Sequence, residues 1–549
     1  MQVTRRDFLK DIAFAAALVG LPSWVNQLDE PPPMEMMNIS AGAYPWPWRA
    51  PSELGLASPV VTALNRISFG PRPGDFERVQ AMGIDAYIDE QLHPETLDDG
   101  ALEQRIAAAY PTLAMSAADL IQNYPQPKKV ANNQNAAPQP NALAGALGLT
   151  PGTRTPQQVV AELQEATMMR AVHSSHQLEQ VLVDFWSDHF NIYANKNADR
   201  WLKTVDDRDV IRKYAFGKFK DLVQASASSP AMIEYLDNRE NVKGNANENY
   251  AREIMELHTL GVDGGYTQKD VQELARAFTG WTIQGPQRAG LFGRAGQGEE
   301  GTFLFNPNQH DGGAKRVLGV DLPANGGIND ARKIIDVLAH HPSTAKFIST
   351  KLVRHFVSDT PPDALVQRAA QTFTQSDGDI RAVLGTILHS DEFKNSFAQK
   401  IKRPLDLIVS ALRAVDAQLD DTRTIAMALR LLGQGLYQHL TPDGYPDYGT
   451  AWINTSGLLG RWNYALLIAA NKVPRGQIDL KAATNGATLR TVGDAVDFWV
   501  GYLLHRSIPD ADRQKLVNAL GASASAAFDA TRAPMLVALI LASPHFQYR

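Results

Sequence analysis

The 549-residue sequence contains no cysteine, which excludes disulfide bonds, thiolate metal sites and a cysteine nucleophile. It also lacks an excess of one charge. Its 53 basic and 59 acidic residues give a net charge of −6, so we expect no nucleic-acid partner. Beyond the N-terminus it lacks an apolar run of about eighteen residues, so we expect no integral membrane span in the mature protein. A Walker A loop and a GxSxG motif are also missing, which argues against a P-loop NTPase and a common α/β hydrolase.

The first residues carry an export motif. A short apolar run, Ile12–Leu21, ends before Pro22 and is too short to span a bilayer. It is preceded by the twin-arginine motif Thr4-Arg5-Arg6-Asp7-Phe8-Leu9-Lys10. We therefore expect export by the twin-arginine translocase to the periplasm or the extracellular space. That route carries folded proteins, which suits a chain whose fold needs no disulfide.

Four segments are predicted along the chain. Proline-rich stretches dominate before residue 58, whereas later apolar residues recur at helical spacing. Two stretches rich in Asn, Pro, Gln or Gly interrupt the helical pattern and are predicted to be insertions. The segments are a twin-arginine signal segment at 1–30, an extended Pro-rich arm at 31–57, a main helical domain at 58–400 with insertions at about 124–156 and 284–301, and a C-terminal helical part packed on it at 401–549.

The apolar spacing predicts a mainly α fold: a large multi-helix domain with long Pro/Gly-rich loops and little β-structure. Strand-like alternation is scarce, and its best candidate is Thr302-Phe303-Leu304-Phe305. A helical hairpin is predicted around Gly261, which would end one helix. Thr267 and Asp270 would then form the capping box of the next helix.

The densest polar cluster occupies residues 247–261. On a helix that turns about 100° per residue, Glu253 and Glu256 share one face, and His258 points to the opposite side. The two carboxylates could share a metal ion or a proton. Alternatively, Arg252 pairs with Glu256 at i, i+4 and the other polar groups are solvated.

A second cluster surrounds His189. This residue continues the apolar stripe of its helix, so its side chain is predicted to point inward, while Asp184 and Asp188 share an adjoining face. An inward histidine is either a hydrogen-bonded core residue or a metal ligand or general base. Both interpretations stay open at this point.

Two polar loops are further candidates. His310, Asp311 and Lys315 lie in a loop without periodicity, which indicates either a functional site or a turn that needs Asn, Asp and Gly. A second loop, residues 441–452, is rich in Pro, Gly and aromatic residues. It either presents Tyr445, Tyr448 and Trp452 to a glycan or a partner, or packs on the helices.

Taken together, these motifs resemble the large bacterial family known as domain of unknown function 1800. The resemblance extends from about residue 58 almost to the C-terminus and rests on Phe69-Gly70-Pro71, Phe185-Trp186-x-x-His189-Phe190, Asn249-x-x-Arg252-Glu253-x-x-Glu256-Leu257-His258-Thr259-Leu260-Gly261, Phe278-Thr279-Gly280-Trp281, His310-Asp311-x-Gly313-x-Lys315 and Lys402-Arg403-Pro404. It implies a predominantly helical exported protein, often encoded beside an exported protein similar to alkaline phosphatases. It implies no particular reaction.

The first functional hypothesis is a periplasmic metal-dependent enzyme, a hydrolase, in which a divalent metal ion lowers the pKa of a bound water. The predicted metal ligands are His189, Glu253, Glu256 and His310. The predicted catalytic groups are Asp311 or His258 as general base, with Arg252 or Lys315 stabilising negative charge.

The alternative is a non-catalytic scaffold or maturation partner of a co-exported alkaline-phosphatase-like protein. The same polar residues would then form an internal hydrogen-bond network. Surface-polysaccharide binding is a third possibility. The enzyme hypothesis in its metal form requires at least three of the predicted ligands to converge on one point.

Overall fold

Helices dominate the computed structural model, which describes Leu54 and residues 57–126, 154–285, 298–420, 422–473 and 476–549. The predicted mainly α fold is confirmed. The export motif, most of the Pro-rich arm and most of both predicted insertions lie outside the described residues.

The helices fall into three successive groups along the chain. The first group is α1 (Pro59–Arg66), α2 (Asp75–Met82), α3 (Ile84–Leu92), α4 (Gly100–Ala109), α5 (Ala117–Asn123), α6 (Pro156–His173), α7 (Gln177–His189), α8 (Asp199–Asp206), α9 (Phe219–Ala227) and α10 (Pro230–Tyr235). The second is α11 (Asn249–Glu253), α12 (Gln268–Phe278), α13 (Asn329–His340), α14 (Pro342–Phe356), α15 (Asp363–Gln375), α16 (Ile380–Leu388) and α17 (Asp391–Lys394). The third is α18 (Pro404–Ala414), α19 (Arg423–Leu431), α20 (Thr455–Ala469), α21 (Leu480–Ala483), α22 (Val492–Leu504), α23 (Asp510–Ala519), α24 (Ala533–Ala542) and α25 (Pro544–Gln547).

Two helices continue into wider π-helical turns. Asp207–Arg212 extends α8, and Ile254–Thr259 extends α11. Because π-helical turns are rare and occur often at functional sites, the second one marks the segment that carries Glu256 and His258.

The strands form three small antiparallel pairs. β1 (Trp281–Ile283) pairs with β2 (Phe303–Phe305), with Thr282 opposite Leu304. The others are β3 (Lys315–Val317) with β4 (Val320–Leu322), and β5 (Gln418–Leu419) with β6 (Gly476–Gln477). The strand predicted at residues 302–305 is therefore confirmed.

One hydrophobic core includes residues from all three groups of helices. The core cluster runs from Ala63 to Phe546, and both α18 and α19 pack on α6. Burial of this apolar surface is the main force that holds these helices together. Over the described ranges, none of the helices has the length and apolar character that crossing a membrane requires.

The helical hairpin around Gly261 is present. The Thr267 hydroxyl accepts from the Asp270 backbone N–H, and the Asp270 carboxylate accepts from the Thr267 backbone N–H. These two hydrogen bonds form the predicted capping box of α12. Gly261 has a φ of +84°, and a β-carbon at this position would lie 2.9 Å from the Phe347 ring. Glycine is thus required both by the backbone conformation and by the close approach of α14.

Candidate active site

Two carboxylates on consecutive turns of α7 bind one buried arginine. Asp184 and Asp188 are four residues apart and face the same side of the helix. Arg403, directly before α18, places Nη2 2.5 Å from Asp184 Oδ2 and Nη1 3.3 Å from Asp188 Oδ2. Asp406 accepts from the backbone N–H and the Nε of Arg403, whose side chain is 4% exposed. The guanidinium is therefore a buried positive charge held by three carboxylates.

His189, at the end of α7, is buried, as the apolar stripe predicts. Its Nε2 lies 3.0 Å from the backbone carbonyl oxygen of His258, and its Nδ1 lies 2.9 Å from Lys351 Nζ. Because a carbonyl oxygen only accepts, we assign the ring proton to Nε2, so that Nδ1 accepts from the lysine. Burial, followed by Lys351 and His258, lowers the pKa of His189 well below its ordinary value, so the imidazole is neutral at physiological pH.

Lys351 and His355 are four residues apart on α14 and present two titratable groups to the same cluster. Burial lowers the pKa of the Lys351 amine to about 8, against the opposing influence of Asp447 and Asp188. A lysine with such a pKa is neutral in a substantial fraction of molecules near pH 8 and can exchange a proton with a substrate or water.

Asp447 lies in the aromatic loop at 441–452 and is bound by a histidine and a lysine. His355 Nδ1 is 2.9 Å from Asp447 Oδ2, and Lys400 Nζ is 3.3 Å from Asp447 Oδ1. Burial opposes ionisation of this carboxyl, but Lys400, His355 and Arg403 outweigh it and hold its pKa well below the ordinary value. Asp447 is therefore a carboxylate at physiological pH.

Asp188 is held in the opposite protonation state. Burial and the neighbouring Asp184 raise the pKa of Asp188 well above its ordinary value, and Arg403 only partly offsets them. Asp188 thus keeps a proton under conditions in which Asp447 has lost its own. Two neighbouring carboxyl groups whose surroundings drive their pKa values apart are the arrangement that general acid and base catalysis requires.

The acidic side chains of this cluster still contact solvent. Asp184 is 12% exposed, while Asp188 and Asp447 are each 20% exposed. Burial is nevertheless the largest influence on the pKa values of Asp188 and Asp447. These side chains are surrounded by protein and yet reach solvent, so they can contact a small molecule. We call this cluster the acid–base cleft and define it by Asp184, Asp188, His189, Lys351, His355, Arg403 and Asp447.

The loop that carries Asp447 packs tightly on α7. Gly444 has a φ of +73°, and a β-carbon there would clash with the backbone carbonyl of Asp188. Trp452 is buried and donates from Nε1 to the Pro446 carbonyl oxygen, whereas Tyr448 is 50% exposed. The loop therefore packs on the helices, and among its predicted contact residues Tyr448 projects furthest into solvent.

Glu253, Glu256 and His258 lie on α11 and its π-helical extension. The His258 ring is buried, its centroid lies 6.0 Å from that of His189, and both of its nitrogens lack a hydrogen-bond partner among the described residues. Burial, with Lys351, lowers the pKa of His258 to about 3. Burial, Glu256 and Asp443 raise the pKa of Glu253, and Glu256 accepts from the Tyr266 hydroxyl at 3.3 Å.

Arg252 pairs with residues other than Glu256. Its Nη2 lies 3.1 Å from Glu248 Oε2 and 2.8 Å from Gln268 Oε1. The interpretation that Arg252 pairs with Glu256 is wrong, because the side chain points back along the helix toward its N-terminal turn and α12. Glu253 and Glu256 are close enough for the charge of Glu256, in addition to burial, to raise the pKa of Glu253.

His310 and Lys315 belong to another, buried network, and the half-buried Asp311 lies at its edge. His310 Nδ1 lies 2.8 Å from the Thr279 carbonyl oxygen, and Nε2 lies 3.2 Å from Asp330 Oδ2. Lys315 Nζ is 2.7 Å from the same Asp330 oxygen. Arg276 binds Asp311 and, as the largest influence, lowers its pKa to about 2. We call His310, Lys315 and Asp330 the loop lock.

The predicted metal ligands are thus separated: His189 belongs to the acid–base cleft, His310 belongs to the loop lock, and the two glutamates lie on α11 and its extension. Both ring nitrogens of His189 are hydrogen-bonded, to Lys351 and to a carbonyl oxygen. Both ring nitrogens of His310 are hydrogen-bonded as well, to Thr279 and Asp330. Glu253 and Glu256 are the predicted ligands that remain near each other. In the part of the chain that the structure describes, no group of three or more His, Asp or Glu side chains is placed to hold a metal ion.

Comparison with known proteins places the chain in a family. The model of a family described as protein of unknown function (DUF1800) matches residues 62–548. The chain belongs to the DUF1800 family. No curated protein and no solved structure matches it. The DUF1800 match spans both the acid–base cleft and the loop lock, and the family description names no reaction.

Lys351, His355 and Asp447 were not among the residues singled out from the sequence of this DUF1800 protein. A signal for the first two was present: they stand at i, i+4 beside the buried positions Leu352 and Phe356. That spacing places a lysine and a histidine together at the edge of an inward helix face. Asp447 lies in a loop and carries no comparable signal.

Proposed function

We propose that this DUF1800 protein is an exported hydrolase that acts in the acid–base cleft. The observation that carries the proposal is the arrangement of Asp188 and Asp447, which are each 20% exposed and are bound by Arg403 and Lys400, respectively. Their surroundings shift the two pKa values in opposite directions, upward for Asp188 and downward for Asp447. Because these groups come from three separate segments, the fold itself assembles the pair.

In the proposed reaction Asp188 acts as general acid and Asp447 as general base. Asp188 donates its proton to the leaving group as the scissile bond breaks, and Asp447 accepts a proton from the water that forms the new bond. Lys351 stabilises the negative charge that develops between them. Solvent then returns the proton from Asp447 to Asp188, which restores the starting state.

A substrate panel tests this assignment. Purified exported protein is assayed against chromogenic glycosides, carboxylic esters, phosphate esters and peptides, with Asp188→Asn beside it. We expect hydrolysis of one class and a loss of about 10²–10⁴-fold in Asp188→Asn. Asp263→Asn, at an exposed position, is the matched control and should keep full activity. Hydrolysis that is equal in the two variants would refute the assignment.

The metal-dependent form of the proposal places a divalent ion at Glu253 and Glu256. Its support is that, in addition to burial, Glu256 and Asp443 raise the pKa of Glu253, which indicates a repulsion between carboxylates that a cation would relieve. Elemental analysis of periplasmic protein, of Glu253→Ala and of His189→Ala tests it. Metal in the parent that is lost in Glu253→Ala supports this form, and a metal-free parent removes it.

Export through the twin-arginine translocase to the periplasm or extracellular space is also part of the proposal. Its support is the arginine pair at Arg5 and Arg6 before a short apolar run. Cell fractionation should find the wild type outside the cytoplasm and the Arg5→Lys/Arg6→Lys double variant inside it. An identical distribution of the two would count against this route.

A second candidate is a scaffold or maturation partner of a co-exported alkaline-phosphatase-like protein. The loop lock favours it, because several of the predicted polar residues are paired internally. Activity of the alkaline-phosphatase-like protein expressed with and without this chain distinguishes the candidates. Dependence that survives Asp188→Asn supports the scaffold, whereas dependence that Asp188→Asn abolishes supports the hydrolase.

A further inference from the structure

A buried lysine and a half-buried arginine line a small cavity far along the chain from the carboxylates of α7. The cavity lies among α1, α18, α22 and α25 and has a volume of about 20 Å³. Lys402 and Arg506 contribute the charged part of its lining, and Phe397, Leu504 and Phe546 contribute apolar surface. This volume is room for one water-sized body, so larger oxyanions such as sulfate do not fit.

Lys402 has no acidic partner among the described residues. Its side chain is almost fully buried, and its Nζ lies 3.7 Å from the centroid of the Phe546 ring. The nearest acidic influence is Asp406, which already pairs with Arg403 and Arg549. A ring face attracts the ammonium but leaves its charge uncompensated.

Among the described residues, Arg506 donates to two backbone carbonyl oxygens and to a histidine ring. Its Nη1 donates to the carbonyl oxygens of Leu54 at 2.7 Å and Ser507 at 3.1 Å, and its Nη2 lies 3.0 Å from His545 Nδ1. Burial alone lowers the pKa of Arg506 to about 10. The guanidinium is therefore oriented by its surroundings without being neutralised.

Two positive groups that line one small cavity favour a negative charge between them, or one of them must lose a proton. We propose that this cavity binds a monatomic anion of the halide class, chloride in the cell, between the Lys402 ammonium and the Arg506 guanidinium. The apolar walls suit a weakly hydrated halide, and the cavity size excludes phosphate and carboxylate ligands. Burial together with Arg549 lowers the pKa of Lys402 to about 7, and a bound anion would keep the amine protonated.

The position of the site indicates what the anion would stabilise. Arg506 holds the backbone at Leu54, before α1, while Phe546 belongs to α25. Lys402 directly precedes Arg403 of the acid–base cleft. The anion would therefore join the start of the described chain to its C-terminal helices and to the segment that carries Arg403.

Bromide, whose anomalous scattering identifies it, tests the site in crystals of the full chain. We expect an anomalous peak within hydrogen-bond distance of Lys402 Nζ and Arg506. In solution, replacing sodium gluconate by sodium chloride at equal ionic strength should raise the Tm by roughly 1–2 °C. Lys402→Met should abolish that rise, whereas Lys346→Met, at an exposed position, should preserve it.

Each measurement can overturn the proposal independently. Wild-type crystals in bromide without a peak in the cavity refute it, even if Lys402→Met fails to fold. Equal Tm values in chloride and gluconate refute it as well. A chloride effect of the same size in wild type and Lys402→Met would assign the effect to another part of the surface.

Discussion

The acid–base cleft and the loop lock use the same residue types for different ends. Each combines histidine, lysine and aspartate side chains that are buried or half-buried. In the loop lock, His310, Lys315 and Asp330 are all at most 4% exposed. In the cleft, Asp188 and Asp447 remain 20% exposed. Composition therefore identifies a polar cluster, but solvent contact decides whether it can act on another molecule.

The two clusters also differ in how their charges are satisfied. In the loop lock one aspartate receives both the lysine and the histidine, so the carboxylate is fully engaged. In the cleft the acidic groups outnumber the cations placed beside Asp188, and its pKa rises as a result of burial and Asp184. A network in which every charge is paired stabilises the fold. A network with more carboxyl groups than cations keeps one carboxyl protonated, and that proton can be transferred.

The largest effect is expected at Asp447. Asp447→Asn removes the ionised member of the pair while keeping its shape, so kcat/KM on the hydrolysed substrate should fall by about 10²–10⁴-fold. Asp359→Asn is the matched control because Asp359 also binds Lys400, at 2.7 Å, but lies outside the cleft. Steady-state kinetics with a Tm measurement checks both, and equal losses in the two variants would mean that Lys400 pairing, rather than Asp447 itself, matters.

The loop lock should show the opposite behaviour. Asp330→Ala leaves the Lys315 ammonium and His310 without their carboxylate and should lower the free energy of unfolding by about 3–5 kcal/mol. Activity per folded molecule should stay unchanged. Urea denaturation measures the loss, with Asp321→Ala, at an exposed ion pair with Arg316, as control. A stable Asp330→Ala variant with impaired catalysis would show that the loop lock is part of the active site.

Helical periodicity explains what could be predicted from the sequence. The inward position of His189 and the shared face of Asp184 and Asp188 depend only on the 3.6-residue repeat of α7, and both are present. The capping box at Thr267 and Asp270 is equally local. Such features need no knowledge of where other segments lie.

The cleft itself depends on contacts between distant segments. Lys351 meets His189 across 162 residues, and Arg403 meets Asp184 across 219. A single sequence does not reveal which of many lysines or arginines will be brought to one helix by packing. For the same reason the sequence left open whether the His310 loop forms a site or a turn. Asp330, whose carboxylate pairs with both His310 and Lys315, lies on α13.

An intermediate effect is expected from Lys351, and it depends on pH. Burial lowers its pKa from 10.5 to about 8, so between these values the unfolded chain binds a proton that the folded chain does not. The free energy of unfolding should therefore rise with pH across that window. Lys351→Met should reduce the rise without removing it, because Lys402, whose pKa is lowered to about 7, contributes over the same window, and exposed Lys346→Met should keep it in full. Urea midpoints between pH 7 and about 10.5 measure this, and parallel profiles for wild type and Lys351→Met would contradict it.

The smallest effect is expected at Arg252, which lies beside Glu253 but pairs with Glu248 and Gln268. The pair is partly exposed, so Arg252→Ala should change the free energy of unfolding by about 1 kcal/mol or less. Activity should change by less than about twofold, because no cleft residue contacts this side chain in the described structure. Kinetics beside Lys269→Ala, an exposed neighbour, provides the comparison. A selective loss of kcat in Arg252→Ala would show that this guanidinium turns toward the substrate, and the cleft would then extend onto α11 and its two glutamates.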